Sequence, residues 1–211
     1  MTMPLVIGHR GFAARFPDNS LAGVRAAFAA GADGVEVDVR PCADGAWVCH
    51  HDLMRKGRKV ALWSQTALRR DGVAALAEVV DAAPDGGWLF VEVKPLPAGE
   101  LAARLGELAG LLAPRAARTR VISSSLPVLA AVEDALPEVP RSWVFGELPD
   151  WLPNGLDLAP KHTLVEALLG SGPELHPWTV NRPGRMRELA GFGVASITTN
   201  EPAVAVGVVR G

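Results

Sequence analysis

Residues 34–40 read Gly34-Val35-Glu36-Val37-Asp38-Val39-Arg40. Along an extended chain side chains alternate, so the three valines share one face and Glu36 and Asp38 the other. Phe90-Val91-Glu92-Val93-Lys94 repeats the pattern, with valines on one side and Glu92 and Lys94 opposite. In a parallel barrel the outer face must pack on helices, so the valines belong outside and the acids inside. Strand-like runs recur at 5–10, 34–40, 88–94, 119–125, 141–146, 157–161, 175–181 and 195–200. Helical candidates fill most of the gaps. Ser20 or Asn19 can cap a helix carrying Leu21, Val24 and Phe28 on one side, with Gly31 suited to its end. Others cover about 72–83, 98–113, 126–136, 162–170 and 184–191. This alternation predicts an α/β fold, a (β/α)8 TIM barrel near the lower end of its usual size. The competing doubly wound sheet needs a glycine turn that Gly8-His9-Arg10-Gly11 does not provide. An extra extended piece, Trp47 to Asp52, interrupts the alternation after the turn at Asp44-Gly45.

A chain of 211 residues is expected to form a single domain over 1–211, and 49% hydrophobic residues supply its core. The 21 basic and 23 acidic residues leave a net charge of -2, which argues against a general nucleic-acid binder or a polybasic membrane binder. Cys42 and Cys49 match no common disulfide or zinc spacing. No leader-like start and no apolar run of ~20 residues is seen, so a cytoplasmic protein without stable membrane insertion is expected.

Three inward carboxylates, Glu36, Asp38 and Glu92, repel one another. At ~4 Å and an effective dielectric of ~20, each pair costs about 4 kcal/mol. A hard cation held by oxygen ligands, Mg²⁺ or Ca²⁺, would relieve this. Pairing with Arg40, Lys94 or another internal base is the alternative. His9 closes the first strand, and His51-Asp52 closes the extra piece. Both stand where barrel active sites assemble, and two histidines there suit general acid and base work. His50 points opposite to His51, so at most one of them faces the site; Asp52 at the strand end favours His51. Arg10 and Lys94 are anion clamps. His162 and His176 are expected to be ordinary hydrogen-bonded residues.

These motifs, in order from residue 7 to 202, resemble the glycerophosphodiester phosphodiesterase family. The carrying segments are His9-Arg10-Gly11 with Pro17-Asp18-Asn19-Ser20, the Glu36-Val37-Asp38 strand, Asp44-Gly45 with His51-Asp52, Glu92-Val93-Lys94, and Trp178-Thr179-Val180-Asn181. The resemblance implies a metal-dependent hydrolase of lipid metabolism that cleaves glycerophosphodiesters to glycerol 3-phosphate and an alcohol. Glu36, Asp38 and Glu92 would hold one divalent cation, Mg²⁺ or Ca²⁺. His9 and His51 would be the acid–base pair, Arg10 and Lys94 the phosphate clamp, and Trp178 part of the pocket wall.

Three departures stand out. Asp18 and Ser20 replace the family's Glu and Thr, and Asn200 replaces the Asp of Thr-Asp-x-Pro, which predicts an altered hydrogen bond more than lost catalysis. The segment from Leu53 to Gly87 is short, so most of the usual insertion over the pocket is missing. That opening keeps an alternative in view: a lysophospholipid-cleaving or cyclic-phosphate-forming, phospholipase-D-like enzyme on the same fold. A non-catalytic binding barrel is a further alternative, although neither histidine is lost. The basic stretch Arg55-Lys56-Gly57-Arg58-Lys59 reads first as a solvated loop; attraction of an anionic substrate or a lipid headgroup surface is its other reading.

Overall fold

The computed structural model describes residues 3–211. Its first half runs β1 (Leu5–Gly8), α1 (Leu21–Ala29), β2 (Gly34–Pro41), β3 (Trp47–Cys49), β4 (Met54–Arg55), β5 (Arg58–Lys59), α2 (Gln65–Arg70), α3 (Leu76–Ala82) and β6 (Trp88–Val93). The second half runs α4 (Ala98–Leu112), β7 (Thr119–Ser123), α5 (Leu126–Ala135), β8 (Arg141–Phe145), β9 (Asp157–Pro160), α6 (Val165–Leu168), α7 (Pro183–Phe192), β10 (Ser196–Thr199) and α8 (Pro202–Arg210).

Seven parallel strands are hydrogen-bonded in the order β10-β1-β2-β6-β7-β8-β9. The eighth stave is the predicted run at 175–181, and it forms no regular ladder because Pro177 has no N–H to give. It still bridges both edges. The amides of His176 and Trp178 donate to the carbonyls of Leu158 and Pro160 on β9, at 2.8 and 3.1 Å. On its other side, Thr198 donates to Pro177 at 3.0 Å, and Val180 donates to Thr198 at 2.9 Å. The sheet thereby closes on itself, an α/β barrel as predicted.

The alternation sorts the core as expected. Val35, Val37, Val39, Val91 and Val93 face the helices in the main apolar cluster, together with Leu108, Leu129 and Leu189. Ile7, Phe90, Ile122, Val144 and Ala159 form a separate small cluster inside the barrel. That inner layer plugs the barrel and floors the cavity above it.

Several elements differ from the sequence expectation. The predicted helix 72–83 is met by the shorter α3, α2 forms ahead of it where no helix was expected, and 162–170 holds only a 3-10 turn at His162–Leu164 followed by the single turn of α6. The extra extended piece is a short antiparallel partner of β2, with Arg40 opposite Val48. Helix α8 was not expected, because its valine-rich sequence with Gly207 has weak helix propensity. It forms with Pro202 in its first turn and packs against β1 and α7, so tertiary contact overrides the local preference.

Candidate active site

The sequence His9-Arg10-Gly11 is shaped by its backbone. Gly11 has φ 83°, and a Cβ there would meet the Gly23 carbonyl carbon at 2.6 Å, so only glycine lets the loop lie on α1. Arg10 and Asn19 also take left-handed conformations, at φ 51° and 58°. Ser20 caps α1, accepting from the Gly23 amide at 3.1 Å, which leaves Asn19 free for another task. Its carboxamide grips Asp38 twice: Oδ1 accepts from the Asp38 amide at 2.9 Å, and Nδ2 donates to Asp38 Oδ2 at 2.8 Å.

Parallel register sets Asp38 beside Glu92 on adjacent strands, and Glu36 one pleat below Asp38 on the same face. Side-chain oxygens of Glu36, Asp38 and Glu92 all lie within 4.8 Å of one another, a cluster that could hold a metal ion. Lys94 Nζ lies 2.6 Å from both Asp38 Oδ1 and Glu92 Oε1, and Arg10 Nε lies 3.0 Å from Asp38 Oδ2. The alternative of internal pairing therefore holds for Asp38 and Glu92. It fails for Glu36, whose Oε2 accepts from the Arg10 amide at 3.0 Å while Oε1 is buried with no hydrogen-bond partner. Arg40 does not neutralise the acids; its Nε donates to the His51 carbonyl at 3.0 Å.

The charges follow from this wiring. Burial pushes the Glu36 carboxyl well above the ordinary range, with Asp38 and then Glu92 adding to the effect. Burial also raises Glu92; Lys94 opposes it and Asp38 reinforces it, leaving a net rise. Asp38 goes the other way, because Lys94, Asn19 and Arg10 outweigh its desolvation. Lys94 is desolvated too, but Glu92 and Asp38 hold its proton more firmly than usual.

Both histidines line the same cavity of about 350 Å³ as Arg10, Glu36, Glu92, Lys94 and Trp178. His9 Nδ1 donates to Asn200 Oδ1 at 2.6 Å, and Nε2 lies 3.9 Å from Glu36 Oε2. Burial lowers the His9 pKa, and the Asn200 bond offsets this only in part. His51 Nδ1 donates to Asp52 Oδ1 at 2.8 Å. His50 turns away and meets the Met54 carbonyl at 3.4 Å, so only one of the two neighbours faces the site, as expected. Trp178 is anchored by its indole N–H, 2.7 Å from the Ala159 carbonyl.

All eight residues singled out from the sequence thus lie in or against one cavity at the carboxyl ends of the strands, Asp38 buried just beneath its wall. Two further residues belong with them. In the sequence Asn19 stands out only as a possible helix cap and as part of a motif, and Asn200 only as a departure; their partners lie 19 and 191 positions away, so no local pattern announces them. Asn181 joins this set, its Oδ1 accepting from the Asn200 amide at 2.9 Å and fixing the Asn200 backbone.

His176 is buried and its Nδ1 shares a hydrogen bond with Ser196 Oγ at 2.8 Å, in line with an ordinary core role, although its ring also lines the cavity floor. It lies near Asp157 and Glu174, a second group of potential ligands. There the Arg120 guanidinium already stands 2.6 Å from Asp157, so the charge is met from within the protein.

The model of the glycerophosphoryl diester phosphodiesterase family matches residues 9–70. A probable glycerophosphodiester phosphodiesterase 1 of Mycobacterium tuberculosis is 51% identical over 49 residues, which is 23% of this chain and only 18% of that relative. A glycerophosphodiester phosphodiesterase of Caldanaerobacter subterraneus is 26% identical over 244 aligned positions, covering 98% of each chain. Among solved structures, an Oleispira antarctica phosphodiesterase in complex with the product sn-glycerol-3-phosphate superposes with a TM-score of 0.86 at 19% identity, covering 99% of this chain and 98% of its own. At that identity the likeness is one of fold. Family model and whole-chain relative agree with the resemblance drawn from the motifs.

Proposed function

We propose that this chain, a member of the glycerophosphodiester phosphodiesterase family, hydrolyses glycerophosphodiesters to glycerol 3-phosphate and an alcohol by metal-assisted acid–base catalysis. The observation that carries the reading is the meeting, in one cavity, of two imidazoles, two cations and a carboxylate cluster from separate strands. The product carried by the Oleispira antarctica structure supports the same substrate class.

The residues fit a hard divalent cation. Every donor is a carboxylate oxygen, Glu36 Oε1 has no hydrogen-bond partner, and among the described residues the three acids have only two Arg or Lys side chains, Arg10 and Lys94, within ion-pair distance. Oxygen ligation favours Mg²⁺ or Ca²⁺ over zinc. When bound at Glu36, Asp38 and Glu92, such an ion neutralises phosphate oxygens and lowers the pKa of an adjacent hydroxyl.

The chain's own groups supply the rest. Arg10 and Lys94 hold the phosphate and offset the charge that builds on its oxygens in the transition state. His9 and His51 each keep a proton on Nδ1, held by Asn200 and Asp52, and so leave Nε2 free for proton transfer. One Nε2 takes the proton of the attacking hydroxyl as its oxygen bonds to phosphorus. The other delivers a proton to the alcohol oxygen as its bond to phosphorus breaks, so that the elements of water add across the ester. Trp178 provides an apolar wall for the glycerol or the alcohol.

The test is turnover of glycerophosphocholine with Mg²⁺ or Ca²⁺ before and after chelation, followed by phosphorus NMR. Glycerol 3-phosphate that disappears on chelation is expected. A folded protein inactive on a broad panel of phosphodiesters with every cation tried would refute the reading, and a cyclic phosphate as final product would redirect it to the cyclising alternative.

A further inference from the structure

Five of the nine large hydrophobics most exposed among the described residues stand on two loops at the mouth of the barrel, whereas Met3, Leu169, Phe192 and Val204 lie elsewhere. Among the described residues, the most exposed large hydrophobics include Leu53 (52%), Met54 and Leu62 (55%) around the β4–β5 hairpin, and Leu148 and Trp151 (59%) after β8. Both loops belong to the mouth of the barrel. The hairpin begins three residues beyond His51, and the other loop follows the carboxyl end of β8, whose Val144 lines the cavity. Trp151 stacks on Trp143 with ring centroids 6.1 Å apart, and Trp143 packs on Phe145 at 4.8 Å, so the exposed ring is braced from the core.

The hairpin carries its cations on a rigid turn. Lys56 and Gly57 have φ 47° and 76°, the two positive values of a tight two-residue connection. Arg55 and Lys56 both pair with Asp71, Arg55 Nε at 2.5 Å. Among the described residues Arg58 and Lys59 have no acidic partner within ion-pair distance; Arg58 donates from Nη2 to the Leu62 carbonyl at 2.6 Å and lies 5.5 Å over the Trp63 ring. Asp52, Glu147 and Asp150 are the acids of these loops. A basic turn flanked by exposed leucines does nothing for a small soluble substrate inside the cavity. An apolar patch of this kind marks a contact surface, and basic residues beside it match an anionic lipid surface.

We propose that the catalytic face docks on an anionic lipid surface, with Arg58 and Lys59 meeting headgroup phosphates and Leu53, Leu62 and Trp151 entering the boundary beneath them. The net charge of -2 does not oppose this at contact, because salt limits the reach of distant charges to about 8 Å. The attraction is local to the hairpin. It goes beyond the first sequence reading of 55–59 as a solvated loop, which the exposed Lys56, Arg58 and Lys59 bear out, by taking the neighbouring apolar side chains into account.

The experiment is co-sedimentation of the full chain with vesicles of phosphatidylcholine alone or mixed with phosphatidylglycerol, at low salt and at about 1 M salt, where screening shortens to about 3 Å. Binding to the mixed vesicles only, lost in high salt, is expected. Arg58→Ala with Lys59→Ala should weaken partitioning about 30-fold, at roughly fivefold per basic side chain. Leu53→Ser with Leu62→Ser should weaken it at low salt as well. Turnover of soluble glycerophosphocholine should be unchanged in both variants, which reports on folding and on the active-site reading separately. Equal binding to neutral and anionic vesicles, no binding to either, or wild-type partitioning by the Arg58/Lys59 variant would overturn the proposal.

Discussion

Replacing Asn19 separates the two things this residue does. In Asn19→Gly the left-handed backbone is kept without strain, but both bonds to Asp38 are lost. The Asp38 amide becomes a buried donor with no acceptor, worth about 1–3 kcal/mol. The carboxylate loses one donor but keeps Arg10 at 3.0 Å and Lys94 at 2.6 Å, so its share falls near the lower end, about 1 kcal/mol. The sum is about 3 kcal/mol. In Asn19→Ala the same bonds go and the left-handed conformation adds about 1–2 kcal/mol more. For a chain of this size each kcal/mol lowers Tm by about 2–4 °C. Calorimetry should therefore find the glycine variant about 6–12 °C below the wild type and the alanine variant lower still. Because Asp38 loses the carboxamide that orients it and keeps only its two ion pairs, divalent-cation affinity should drop about 10–100-fold in both, read by isothermal titration. Glycine and alanine variants of equal Tm would refute the strain argument. Both within about 1 kcal/mol of the wild type would refute the claim that Asn19 holds Asp38.

Further outcomes follow from the same wiring. Glu36→Ala should abolish divalent-cation binding by calorimetric titration, whereas His51→Ala should keep it and lose about 10²–10⁴-fold in kcat; equal loss of cation in both would contradict the division of roles. Asn200→Leu removes the acceptor for His9 Nδ1 and should lower kcat at least tenfold with little change in KM, while Asn200→Asp, which can also accept, should restore most of it; a leucine variant with wild-type kcat would show that His9 needs no positioning. Away from the site, hydrogen bonds from Arg185 hold the Glu166 carboxyl at about 2, below its ordinary 4.5. A depressed carboxylate stabilises the fold above its unfolded value and loses that contribution as pH falls through the folded one. Urea melts of the wild type should therefore lose stability between about 4.5 and about 2 by more than those of Glu166→Gln; parallel profiles would remove the ion pair from the account.

Much of this protein was legible in local sequence. The period of two in 34–40 and 88–94 sorted valines outward and acids inward, because a pleated strand leaves a side chain no third direction. The same rule allowed only one of His50 and His51 to face the site, and Asp52 together with the motif order pointed to His51. Eight apolar runs separated by helical stretches were enough for the barrel, and the order of motifs carried a family resemblance with which the family model over residues 9–70 and the whole-chain relative agree. What the chain pattern did not contain are contacts made by closure. His9 and Asn200 meet because β10 pairs with β1, and Asp38 lies beside Glu92 because β2 and β6 pair in that register. Whether Lys94 or Arg40 would answer the acids depended on how the chain turns after β2, which sends Arg40 to a carbonyl instead. The valine-rich α8 and the prolyl stave at 175–180 defied local preference for the same reason. Sequence fixes which face of each segment is apolar, since that depends on neighbours one to four residues apart. Which faces then meet depends on strand register and loop path, which arise only when the whole barrel closes.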